Sequence, residues 1–302
     1  MRSRQRSYLS TKHGYQSLEP RRLLAALANG QEVIDNVLVG QTKIYQLEIT
    51  TPGQVYVSVG ETFDFDADIE LQVNSPSAAF GEFSLGDVSA GVQFFAEELG
   101  TYQIIVNDIE RDHGFQFRIR ALAVNQPFDL IEGRDQLLAN GEEFNASLPV
   151  GSLGVYQFAV NTEDPDGARV ALEGSFFESQ PPIFSQNFPI NVSVAEADIF
   201  GPDGNILLEG QSLDTGFVAS RFGDGLHTVV VNNDFFERDF RFRSFVFGES
   251  FETIPERDAL IANGEETIVN VPIGATNVIE FDLEAQQEAC LLYTSPSPRD
   301  RG

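Results

Sequence analysis

Apolar and polar residues alternate along most of this chain. In "KIYQLEI" (43–49), Tyr45, Leu47 and Ile49 share a face, and in "QVYVSV" (54–59), Val55, Val57 and Val59 do. In "FQFRIRA" (115–121), Phe115, Phe117, Ile119 and Ala121 point one way, while Gln116, Arg118 and Arg120 point the other. A period of two marks a half-buried strand. Such segments recur about every 10–15 residues, and no stretch carries a helical period. Antiparallel strands with one wet face follow, and hence an all-β chain of two-sheet sandwiches. Tyr45, Leu47, Val57, Ile104, Val106, Phe115 and Phe117 are the expected core of a first sandwich. Tyr156, Phe158, Val229, Val231, Phe240 and Phe242 are that of a second.

A repeat underlies the pattern. "LANGQE" (27–32) returns as "LANGEE" (138–143) and "IANGEE" (261–266). Ten residues beyond each motif glycine stands another, as Gly40, Gly151 and Gly274. Tyr45, Tyr156 and Ile279 keep register, as do Leu47, Phe158 and Phe281. Copies this long are domains, not short solenoid units. Late in the copy, "GTYQIIVND" (100–108) pairs with "GLHTVVVNN" (225–233), and "FQFR" (115–118) with "FRFR" (240–243), both at an offset of 125. "ADI" at 67–69 and 197–199 gives an offset of 130, against 111 at the front of the copy. The second copy thus carries an insertion, expected around the Pro-rich "ESQPPIFSQNFP". The linkers "PFDLIEGRD" (127–135) and "SFETIPERD" (250–258) also repeat, which suggests a fixed spacing between neighbours. The expected divisions are a basic segment 1–26, repeats at 27–126 and 127–249, the start of a third repeat at 250–289, and a tail at 290–302.

Charge sharpens this picture. The total is −27, yet residues 1–26 hold Arg2, Arg4, Arg6, Lys12, Arg21 and Arg22 against Glu19 alone. The body between the termini is therefore more acidic than the total, and its one lysine is Lys43. Such a surface repels nucleic acid and anionic membrane, and it favours solubility. No apolar run reaches the ~18 residues a spanning helix needs. The chain has one cysteine, so neither disulfides nor cysteine zinc sites hold it together.

The repeats resemble the bacterial pre-peptidase C-terminal domain family. The resemblance rests on Gly40–Tyr45–Leu47, then "GQVYVSV", "DFDADIEL" and "GTYQIIV", and spans nearly all of both full copies. It implies a jelly-roll-like sandwich that accompanies secreted enzymes or builds surface proteins, and that in some members binds calcium or a polymer. "LEPRRLLAA" (18–26) resembles the LEPR-x-LL motif near the N-terminus of large secreted or surface proteins of planctomycete-type bacteria; Leu18, Glu19, Pro20, Arg21, Leu23 and Leu24 match. That resemblance implies export, to the cell surface or beyond. A short helix opened by Pro20 is the plainer alternative.

Catalytic signatures are missing: no Gly-x-Ser-x-Gly, no His-Glu-x-x-His and no phosphate-binding glycine loop occurs. His227 aligns with Tyr102 and is expected in the core; His113 falls in the turn "ERDHG". The candidate metal site is "DFDADIE", in which an extended chain puts Asp64, Asp66, Asp68 and Glu70 on one side. Stacked carboxylates repel unless a cation or solvent relieves them, and calcium is the ion such a row would take. A solvated acidic face is the competing reading. The second copy offers only Val194, Glu196 and Asp198 at the aligned places.

Three functions follow from this. The first is a non-enzymatic, exported tandem array that spaces or adheres, with an extracellular polymer or protein as partner. The second is an accessory region of a secreted hydrolase, and the third a calcium-dependent binder. "CLLYTSPSPRDRG" (290–302) stands apart: it holds the only cysteine and resembles the translation of a sequencing adaptor. It is expected to be foreign to the protein, and 257–289 to be a truncated copy whose Val271, Ile279 and Phe281 lack partners.

Overall fold

A computed structural model describes residues 24–281, apart from 63–67, 80, 110–113, 178–192, 195, 213–219, 234–236, 256, 263–265 and 270–276. The described residues contain strands and no helix, and hence no helix long and apolar enough to cross a membrane.

The first sandwich comprises β1 (Leu24–Ala26), β2 (Glu32–Val37), β3 (Thr42–Ile49), β4 (Gly53–Glu61), β5 (Ile69–Asn74), β6 (Gly81–Gly86), β7 (Ser89–Ala96), β8 (Gly100–Asp108) and β9 (Phe115–Ala123). One sheet has the order β1-β3-β8-β5-β6, the other β2-β9-β4-β7. From β2 to β9 this is the strand order of a jelly roll. Pairing is antiparallel, except that β1 runs parallel to β3 with Ala25 opposite Tyr45. The strand Leu24–Ala26 lies inside the basic segment expected to precede the first repeat.

The second sandwich repeats the plan with β10 (Gln136–Leu138), β11 (Glu143–Leu148), β12 (Ser152–Val160), β13 (Ala168–Phe177), β14 (Ser193–Val194), β15 (Glu196–Phe200), β16 (Ile206–Ser212), β17 (Ser220–Phe222), β18 (Gly225–Asn233) and β19 (Arg238–Val246). Its sheets are β10-β12-β18-β15-β16 and β11-β19-β13-β14, with β17 also on β13. Here one edge is rebuilt. The single β7 of the first sandwich borders β4 from Gly53 to Gly60, whereas β17 covers Ala168–Val170 and β14 covers Ser175 and Phe176. Beyond it, β20 (Ala259–Ile261) pairs parallel with β21 (Ile279–Phe281), as β1 pairs with β3.

All thirteen expected core residues are buried, in two separate clusters. Burying each large apolar side chain contributes roughly 1.5–3 kcal/mol. In the second cluster Tyr156 stacks on Phe242, with centroids 4.9 Å apart, and packs against Phe240.

The sheet registers correct two sequence alignments. Glu32 faces Arg120, and Glu143 faces Arg243. The last strands therefore match at an offset of 123, so "FRIR" (117–120), not "FQFR", is the counterpart of "FRFR" (240–243). Both choices preserve period two, so alternation could not separate them. Likewise Leu71 pairs with Val106 and Ala197 with Val231. Since β8 and β18 match at 125, Ala197 is the equivalent of Leu71 and Asp198 that of Gln72, not of Asp68. The row Val194, Glu196 and Asp198, aligned in the second copy to that of Asp68, therefore loses its match. The Pro-rich stretch itself lies outside the described residues.

A third correction concerns the wet face. In β4 nearly every residue is buried, on both faces. Its outward row, Tyr56, Ser58 and Gly60, is covered by the second sandwich.

Candidate functional site

The chain's most organised polar chemistry lies where one sandwich meets the next. Arg120 was expected to face solvent. Its side chain is only 1% exposed, and that of its partner Asp135 is 0% exposed. The guanidinium donates through Nη1 and Nη2 to the two Asp135 oxygens, at 3.0 and 2.5 Å, in the forked geometry that suits carboxylate. It donates further to Gly30 O in its own sandwich (2.9 Å) and to Leu153 O in the next (2.8 Å). Asp135, at the end of the linker, also accepts from Ile131 N and from Val155 N of the second sandwich. One ion pair thus ties first sandwich, linker and second sandwich together. A buried pair is tolerable only when its remaining hydrogen-bonding capacity is filled, which is the case here.

The repeated motif supplies the seat. Asn29 Oδ1 accepts from Ala123 N, and its Nδ2 donates to the carbonyls of Ala123 and Pro127, clamping the chain as it leaves β9. Gly30 has φ +79°, and a Cβ there would strike the backbone of Asp129. Only glycine lets the linker lie so close. Glu32 takes Arg134 at 2.6 Å.

The same set recurs after the second sandwich. Arg243 forks onto Asp258 and donates to Gly141 O. Asp258 accepts from Ile254 N and Val278 N. Asn140 clamps Val246 and Ser250, and Glu143 takes Arg257 at 2.5 Å. Burial pushes the Asp258 carboxyl up, but the hydrogen bonds from Arg243, Ile254 N and Val278 N, with the Arg243 charge, outweigh it and hold it below the usual aspartate range.

Apolar padding completes the first joint. Tyr56, Leu122 and Val124 pack with Leu153, Val155, Phe200 and Val230, and Phe128 of the linker closes the cluster. The Tyr56 ring meets Phe200 edge-on at 6.1 Å. Its hydroxyl donates to Asp198 Oδ2 at 2.5 Å, as does Gln93 Nε2 at 2.9 Å. Burial, with the Asp198 hydrogen bond and charge, keeps the Tyr56 phenol protonated far above the ordinary range. At Gly60 and Gly151 (φ +60°) the two backbones touch, and a Cβ on either would overlap the other sandwich.

Of the sequence-based metal candidates, Asp64 and Asp66 lie outside the described residues. Asp68 O accepts from Ile109 N, and Glu70 Oε2 accepts from Asn107 Nδ2 at 3.3 Å on the outer face of the sheet. Among the described residues no group of three or more His, Cys, Asp or Glu converges on a point. His227 is fully buried and stacked on Phe158 at 5.3 Å; burial lowers its pKa. His113 lies outside the described residues. The joint residues were missed, although their signal was present: Arg120, Arg134 and Asp135 recur as Arg243, Arg257 and Asp258, all 123 residues on.

No family model matches the chain, and no curated protein does. Among solved structures it is similar to the pre-peptidase C-terminal domain of a collagenase from Bacillus anthracis, at 10% identity and TM-score 0.30, covering 34% of this chain and 97% of that one. It is also similar to the CUB1-EGF-CUB2 region of human MASP-1/3, at 12% identity and TM-score 0.21, covering 72% and 94%. A third likeness, to tripeptidyl peptidase 2, has 10% identity and TM-score 0.26, and covers 74% of this chain and 24% of that one.

Proposed function

We propose that this chain is a stretch of an exported, non-catalytic array whose repeated joints fix the spacing and rotation of successive sandwiches. The observation that carries this reading is the clasp itself. The same arginine, aspartate, asparagine and glycine form the fork, the clamp and the seat at two successive boundaries. A flexible linker would not need a buried ion pair that reads three segments at once. The joint couples rigid bodies, and an array so built holds its outward surfaces at set intervals for an extracellular polymer or protein. The LEPR-x-LL resemblance supports export, and the acidic surface suits a soluble extracellular stalk. Calorimetric unfolding of the full chain tests the coupling. The intact chain should melt its two sandwiches as one unit, and Arg120→Ala should split them into two transitions. Two independent transitions in the unaltered chain would refute it.

A further inference from the structure

Asp108 ends β8 on the core-facing row of Tyr102, Ile104 and Val106 and is 2% exposed. Both of its carboxylate oxygens are buried without a hydrogen-bond donor. A buried carboxylate left so is destabilising, because nothing replaces the hydrogen bonds it made with water. The second sandwich shows what the place demands. There the equivalent residue is Asn233, whose Nδ2 donates to Leu148 O at 2.7 Å and to Pro149 O at 3.1 Å. The matching carbonyls in the first sandwich belong to Val37 and Leu38, because β2 and β11 align at 111. An amide serves both carbonyls. A carboxylate in its place offers them no hydrogen.

Oxygen ligands from a carboxylate and backbone carbonyls are what a hard cation takes. A second buried acid, Glu61, continues the core-facing row of Val55, Val57 and Val59 and pairs in register with Phe117. It lies toward the same end as Asp108, since Phe117 stands near the start of β9 and Asp108 ends β8, the strand before it. The equivalent of Glu61 in the second sandwich is Phe176, packed on Phe240. One sandwich therefore ends in an acid pair, the other in an amide and a ring.

We propose that Asp108, with the carbonyls of Val37 and Leu38, anchors a Ca²⁺ site at the tip of the first sandwich, with Glu61 across the core. In the second sandwich the Asn233 amide fills the role of the ion. This site is distinct from the outward row of Asp68 and Glu70 and does not depend on the joint reading.

The test is calorimetric titration of the full chain with CaCl₂ at pH 7. Asp108→Asn installs the amide that the second sandwich already carries, so the variant should fold. It should weaken Ca²⁺ binding at least tenfold, while Asp68→Asn with Glu70→Gln leaves binding intact. In EDTA, Asp108→Asn should melt above the unaltered chain, and Ca²⁺ should close that gap. Binding unaffected by Asp108→Asn, or lost only with Asp68→Asn and Glu70→Gln, would overturn the proposal. So would an unaltered chain that binds no Ca²⁺ and matches Asp108→Asn in stability at pH 4 but not at pH 7, which would mark a buried neutral acid.

Discussion

The two joints share their polar clasp and differ in their padding. At the first, Tyr56, Leu122 and Val124 lie against a complete second sandwich. At the second, the places of Tyr56 and Leu122 are taken by Ala171 and Phe245; Phe245 packs edge-on against Phe251 at 6.1 Å and lies under the Arg243 guanidinium at 4.4 Å. Apolar contacts changed freely between the copies while the ion pair, its asparagine clamp and its glycine seat did not. Apolar padding is interchangeable if volume is kept, but a forked arginine needs its carboxylate at one distance and angle. The clasp therefore sets the geometry, and the padding adds stability to whatever geometry it sets.

The largest effect is expected at the ion pair. Asp135→Ala strands the Arg120 charge and should cost about 3–5 kcal/mol of coupling at the first joint, leaving the second untouched. Chemical denaturation followed by hydrogen exchange in β9 and β19 would separate the two. Because the pair is buried, 1 M salt should weaken it little.

Next in size is the close approach of the backbones. Gly60→Val should cost roughly 1–3 kcal/mol or more by forcing the sandwiches apart, whereas Gly40→Val should disturb only its own turn, since nothing lies within 4 Å of a Cβ there. Thermal melts of the two variants would show the difference.

Tyr56→Phe removes a donor from Asp198 but keeps the ring on Phe200. About 1–3 kcal/mol should be lost, and only at the first joint, because Ala171 stands at that place in the second.

A smaller effect acts on the second joint through pH. The Asp258 carboxyl is held below its ordinary value, so its stabilising contribution is complete above the unfolded aspartate pKa of about 3.9. It fades as pH falls through the lower folded value. Protection of the Ile254 and Val278 amides, measured against their intrinsic exchange at each pH, should therefore hold at pH 5 and fall below about pH 4.

Much of this fold was legible in the sequence because a sandwich writes its core as period two. Tyr45, Phe117, Tyr156 and Phe242 could be placed without coordinates. The joint was not legible by the same rule. Arg120 sits in a polar position of its strand, and alternation assigns such positions to water; it cannot know that a second sandwich covers that face. The repeated "LANG" was visible as a repeat but not as the seat of a linker, because Gly30 and Asp129 meet only in three dimensions. Alternation also permitted two-residue slips, which is how "FQFR" was matched in place of "FRIR" and hid the arginine that both joints share.

If the clasp makes the joint rigid, the two sandwiches keep one distance and orientation in solution. In a chain with Cys290 replaced by Ser, spin labels at the exposed positions Gln103 and Glu163 would report the distance between the sandwiches by pulsed electron resonance. One narrow distance distribution is expected, and it should broaden on Arg120→Ala while each sandwich stays folded. A broad distribution in the intact joint, or a narrow one that survives Arg120→Ala unchanged, would contradict it.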